Sequence, residues 1–213
     1  IFDLDGTLLD TLEDLAGSVN YALQQYNFPV HPIEAYRFMV GNGVNKLLER
    51  ALPDEHKNPD MVSIIKQDFI QHYFAHAEEL TKPYQGISEL VEKLDNEGYQ
   101  LAIASNKIHA ATEALAKRFF PEISFSVVLG QREGVPVKPN PAIVEGIIEI
   151  TGIQKDEVLY VGDSGIDAAT ALNAKVDFAG VLWGFRPRNE LEAVGARVFV
   201  ATAEEIYQLI KAG

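Results

Sequence analysis

Cysteine is absent from this 213-residue chain, which excludes disulfide staples and thiolate metal sites. Basic residues are few: 18 Lys and Arg stand against 31 Asp and Glu, a net charge of −13. No basic stripe is available to neutralise a phosphate backbone, so nucleic acid is excluded as a partner. No apolar run approaches the roughly 18–20 residues that a membrane-spanning helix needs. No signal-peptide pattern is present, and the expected location is the cytoplasm. The chain opens on Ile1-Phe2, which reads as the tail of a strand, so a few residues are expected to precede it. No GxxxxGK[ST] run exists, which excludes a P-loop nucleotide site. His72 and His76 stand one helical turn apart but lack both a third ligand and the glutamate of HExxH, and they read as a solvated helix face. There is no internal repeat.

What is present divides into two grammars. From Leu12 to Tyr26, apolar residues recur at three- and four-residue spacing, which predicts one long amphipathic helix. Thr11 and Asp14 are placed to form its capping box. Pro29 and Pro32 break the chain, and helical stretches come next near 45–52 and 61–79. From Pro83 onward, helical stretches alternate with short β-rich runs: LAIAS (101–105), FSVVLG (125–130), VLYVG (158–162), FAGVLW (178–183) and RVFVA (197–201). Near-continuous apolar strands between helices predict an α/β fold with a parallel sheet covered on both faces. The opening IFD reads as one more strand of that sheet. The helical block 12–82 therefore interrupts an α/β domain made of residues 1–11 and 83–213.

Open parallel sheets bind ligands beyond the carboxyl ends of their strands, so the residues just past each strand matter most. Asp3-Leu-Asp5-Gly6-Thr7 ends the first strand, Ser105-Asn106-Lys107 comes after LAIA, and Lys138-Pro139 comes soon after FSVVLG. Asp163-Ser164-Gly165-Ile166-Asp167 comes after VLYVG. Three carboxylates, Asp3, Asp5 and Asp163, converging on one point would repel unless a hard cation joined them, and Mg²⁺ is the natural one. Lys138 and the Ser105 hydroxyl could hold a phosphate. A carboxylate can attack phosphorus, and a second one two residues on can carry the proton. Each piece also has a plainer reading. Ser164 with Asp167 makes a helix cap, Ser105-Asn106 makes a helix start, and Lys138 before a proline makes a solvated loop lysine.

These stretches, IFDLDGTLLDT, Ser105-Asn106-Lys107, Lys138-Pro139 and GDSGID, resemble in order and spacing the four motifs of the haloacid dehalogenase superfamily of phosphohydrolases. The resemblance implies a Rossmann-like core with an inserted, all-helical C1 cap. It implies that Asp3 is nucleophile and Mg²⁺ ligand, and that Asp5 is acid/base and gives a backbone carbonyl to the metal. It further implies that Thr7 supports the loop, that Ser105 and Asn106 hold the phosphoryl group, and that Lys138 offsets charge. Asp163 would ligate Mg²⁺, with Asp167 supporting it. Within the superfamily the chain is similar to phosphoglycolate phosphatases through VGNGVNKLLERAL, KPNP and WGFRPRNEL. The implied substrate is a small phosphorylated metabolite such as 2-phosphoglycolate, handled by a monomer or homodimer with no membrane or nucleic-acid partner. Substrate discrimination would fall to the turn Gly41-Asn42-Gly43, with Asn42 and Gly43 binding substrate; the same glycines also read as a plain turn between helices. The alternatives are a β-phosphoglucomutase-like or pyrophosphatase-like enzyme, or a phosphate-binding regulatory protein without turnover.

Overall fold

The computed structural model describes residues 1–212. Its α/β part is a parallel sheet built around the opening residues. Phe2 bridges Ile103 on one side and Val161 on the other, both parallel. Beyond Ile103 the sheet continues through β3 (Leu101–Ile108) to β4 (Phe125–Gln131). Beyond Val161 it continues through β5 (Leu159–Gly162) and β6 (Asp177–Val181) to β7 (Phe199–Val200). The five expected strands are all there, and the opening segment lies at the centre of the sheet.

Alternation along these strands feeds two cores. Ala102, Ala104 and Tyr160 face Ile143, Val144 and Ile147 of α6 (Ala142–Thr151) and Ala171 of α7 (Gly165–Ala174). Ile103 and Val161 belong to the opposite core, with α4 (Ile87–Asn96), α5 (His109–Phe119) and α9 (Ala203–Ala212). Both faces are therefore covered, which is why the strands read as unbroken apolar runs. A short helix, α8 (Arg188–Ala193), completes this part.

The helical block leaves and re-enters the sheet region through two adjacent two-residue strands. These are β1 (Leu9–Asp10) and β2 (Lys82–Pro83), paired antiparallel with Leu9 opposite Pro83. Between them lie α1 (Leu12–Gln25), a 3₁₀ turn (Ile33–Phe38), α2 (Val44–Ala51) and α3 (Pro59–His76). Leu15, Val19 and Leu23 of α1 pack with Ile65, Phe69 and Tyr73 of α3 and with Leu48 of α2. The expected capping box at α1 does not form. Thr11 donates instead to Asp5 Oδ1 (2.7 Å), and Asp14 accepts from the backbone of Leu80 and Thr81 and from the Thr81 hydroxyl. Asp14 thus ties the start of the helical block to its end. His72 and His76 stack on each other at 4.2 Å, and His76 pairs with Glu79 on the helix surface.

Candidate active site

Asp3, Ser105 to Lys107, Lys138 and Asp163 all gather at the carboxyl edge of the sheet. The β3–β4 register is regular from Ala102 to Ala104 and resumes at Ile108, where four residues of β3 span two of β4. Ser105, Asn106 and Lys107 are pushed out of the ladder there, as in a bulge that re-aims side chains. Gly130 on β4 is required opposite them, because a Cβ would lie 2.6 Å from the Lys107 carbonyl and from His109 Cα.

Lys138 is the hub. It is only 2% exposed, so it is not a solvated loop lysine. Its ammonium donates to Asp167 Oδ1 (2.7 Å), the Ala104 carbonyl (3.0 Å) and the Tyr160 hydroxyl (3.0 Å), and sits 2.9 Å from Asp3 Oδ1. Burial opposes its charge, but Asp167 and Asp3 more than offset that and hold the lysine protonated. Asp167 is both cap and ion-pair partner: its Oδ2 accepts from Ser164 N and Oγ, completing the capping box at α7. With Lys138 and Tyr160 on Oδ1, it is fully engaged.

One carboxylate oxygen each from Asp3, Asp163 and Asp167 lies within 4.8 Å of the others, and all three residues are buried. Burial, and then the charge of Asp167, push the Asp3 carboxyl up to about 7. The same two causes, with Asp3 added, raise Asp163 well above the carboxylate range. Asp163 is held by the Phe185 amide, which donates to Oδ2 at 2.6 Å. Gly6, at φ +86°, turns the first loop so closely that a side chain there would run into the Asp163 carboxylate. Among the described residues, Asp3 Oδ2 and Asp163 Oδ1 have no hydrogen-bond partner, the bonds to these side chains falling on Asp3 Oδ1 and Asp163 Oδ2.

Asp5 has surroundings that the motifs did not reveal. Its Oδ1 accepts from Thr11 Oγ1 and from the Lys107 ammonium at 2.9 Å, leaving Oδ2 free. Lys107 also sits over the Tyr73 ring, 4.7 Å from its centroid. Lys107 stood beside Ser105-Asn106 in the sequence, and that adjacency was the one available signal. Nothing local pointed to Tyr73.

These groups line one cavity of about 60 Å³ between the sheet edge and the helical block. Asp3, Asp5, Gly43, Ser105, Asn106, Lys138 and Asp163 all border it, with an apolar wall that includes Leu15, Leu47 and Phe69. Three expected site residues do not, Asp167 being one of them, behind Lys138. Thr7 is fully buried beside the loop, its carbonyl accepting from Trp183 Nε1 and its hydroxyl without a partner. Asn42 turns away, accepting from Arg50 at 2.6 Å. Asn106 reaches the cavity, but its side chain is spent on protein groups: it donates to the Gly41 and Lys138 carbonyls and accepts from Lys138 N.

The rim is tied by arginines in both directions. Arg37 of the helical block donates to the Gly184 (2.6 Å) and Phe185 carbonyls. Arg186 donates back to the carbonyls of Phe38 and Val40, and Arg50 takes that of Met39.

The profile of the haloacid dehalogenase-like hydrolases matches residues 1–181. Phosphoglycolate phosphatase from Mesorhizobium japonicum is 31% identical over 100% of this chain and 96% of its own length. The Haemophilus influenzae enzyme of that name is 34% identical over 86% of this chain and 85% of its own. A solved structure from Lactobacillus delbrueckii subsp. bulgaricus, provisionally named a phosphoglycolate phosphatase, superposes with a TM-score of 0.91 at 32% identity. That superposition covers 98% of this chain and 96% of the other. With its four motifs gathered at one sheet edge, the chain belongs to the haloacid dehalogenase-like hydrolases, as a phosphatase of that family.

Proposed function

We propose that the protein is a Mg²⁺-dependent phosphomonoester hydrolase working through an aspartyl-phosphate, on a small metabolite for which 2-phosphoglycolate is the leading candidate. The observation that carries this reading is the charge imbalance around Lys138. Asp3, Asp163 and Asp167 place three carboxylates within 4.8 Å, and one ammonium offsets only one of them. A divalent oxygen-loving cation fits the two charges left over and the unengaged oxygens of Asp3 and Asp163. Those two residues would hold Mg²⁺, which when bound supplies charge neutralisation for nucleophile and phosphate.

The chain's own groups carry the rest. Asp3 attacks phosphorus and the bond to the leaving oxygen breaks, while Asp5 Oδ2 delivers a proton to that oxygen. Asp5 then takes a proton from water, which attacks phosphorus, releases phosphate and restores the Asp3 carboxylate. Thr11 and Lys107 grip Oδ1 and thereby aim Oδ2. Lys138 and Ser105 border the phosphoryl position. Residues 12–82 act as a cap over a core of 1–11 and 83–213, and exclude water from it. The small cavity and the names of the relatives favour a small ester over a bulky one. The test is release of phosphate from 2-phosphoglycolate and from a panel of other phosphorylated metabolites, with Mg²⁺ and with EDTA. No Mg²⁺-dependent release from any of them would overturn the proposal.

A further inference from the structure

The cavity holds two polar groups that the chemistry above leaves unfilled. Tyr73, on α3, is 1% exposed, and its hydroxyl has no hydrogen-bond partner. Buried tyrosines ordinarily satisfy that hydroxyl, because an unfilled one is destabilising. Its direction is set by stacking on Phe69, with centroids 5.5 Å apart and planes at 10°. The second group is the Lys107 ammonium, whose side chain is 4% exposed. Of its three N–H donors, one is used, by Asp5 Oδ1. Both residues line the cavity, Tyr73 from the helical block and Lys107 from the sheet. Arg186 also borders it, but its guanidinium is committed to the Phe38 and Val40 carbonyls and to Glu190.

We infer that the Tyr73 hydroxyl and the Lys107 ammonium together form the recognition point for the far end of the substrate, and that this end is a carboxylate. Burial pushes the Tyr73 hydroxyl up to about 12, so at neutral pH it is a donor. The spot therefore offers a cation with N–H donors to spare beyond the one on Asp5, next to a hydroxyl whose proton has no acceptor. The wall around them is apolar, through Leu15, Leu47 and Phe69. A compact anion with two acceptor oxygens satisfies both groups, whereas a neutral alcohol leaves the ammonium unmatched. The cavity of about 60 Å³ leaves no room for a large second group. This deepens the proposed function and rests on it for the position of the phosphoryl group.

Binding decides the matter without requiring turnover. In Asp3→Asn protein with Mg²⁺, calorimetry should show 2-phosphoglycolate binding more tightly than 2-hydroxyethyl phosphate, which has CH₂OH in place of the carboxylate. Adding Tyr73→Phe should weaken 2-phosphoglycolate about tenfold or more, the scale of a hydrogen bond to a charged group, and change the alcohol less than twofold. Because the hydroxyl is unfilled in the free protein, Tyr73→Phe should leave the melting temperature unchanged or raised. Parity between the two ligands in the parent protein, no measurable binding of 2-phosphoglycolate, equal weakening of both, or a melting temperature several degrees lower would each overturn the inference. Phosphate release by the unmutated enzyme reports on the hydrolase reading separately, so the two failures are told apart.

Discussion

Replacing Lys138 by methionine keeps most of the side chain's volume and removes a charge that four groups converge on. Asp167 Oδ1 at 2.7 Å and Asp3 Oδ1 at 2.9 Å would lose their counter-ion at buried positions. The Ala104 carbonyl would lose one of its donors. Removing one partner of a buried pair typically costs about 3–5 kcal/mol, a large share of the ~5–15 kcal/mol that holds a domain together. With a urea dependence of about 3 kcal/mol per molar, the unfolding midpoint should fall by roughly 1–1.7 M. The measurement belongs in EDTA, so that no cation compensates Asp3. In an Asp167→Asn background the same replacement strands one carboxylate rather than two, and it should cost about 1–3 kcal/mol less. A loss below about 1 kcal/mol, as for an exposed lysine, would refute the reasoning. Strict additivity of the two substitutions would refute it too.

Asp3→Asn should abolish turnover while the fold survives, because the amide keeps the shape without the nucleophile; retention of more than a few per cent of kcat would sink the covalent route. Asp163→Asn should cost most activity at low Mg²⁺ and recover partly at high Mg²⁺, whereas a uniform loss would remove it from the ligand set. Gly6→Ala places a Cβ against the Asp163 carboxylate at a positive φ and should destabilise by about 1–3 kcal/mol; an unchanged melting temperature would contradict the close approach. Asp3 is raised to about 7 from 3.8, so between those values the folded state holds more protons than the unfolded one. Stability without cation should therefore fall as pH rises from about 4 to about 7, and Mg²⁺ should restore it at the upper end. Melting curves in EDTA that are flat across this window would contradict the burial of Asp3.

Sheet and motifs were legible because the physics behind them is local. Strands buried on both faces read as unbroken apolar runs, and the ligand edge lies where those runs stop. The Thr11–Asp14 pattern misled for an equally physical reason. Its spacing suits a cap, but Asp5 and Thr81, far apart in the chain, offer these side chains better partners than the helix end does. Lys138 could not be distinguished from a surface lysine by its neighbours in sequence, since Asp167 and Tyr160 meet it only after folding. Tyr73 and Lys107, from the helical block and the sheet, are another such pair. Two-residue strands such as β1 and β2 are too short to leave a periodic trace.

The arginines at the rim have a bearing on which residues are free to drift. Apart from the Asn42 side chain on Arg50, the acceptors in that exchange, at Phe38, Met39, Val40, Gly184 and Phe185, are main-chain carbonyls. A carbonyl survives any substitution of the residue that bears it, so the accepting loops can change their side chains with the tie intact. Arg37, Arg50 and Arg186 have no such latitude, since lysine lacks the planar fork. Because donors run both ways, parting the two halves leaves unpaired carbonyls on each side, through Arg37 on one and Arg186 on the other. The tie rests on two side chains and is indifferent to the side chains of the loops they grip.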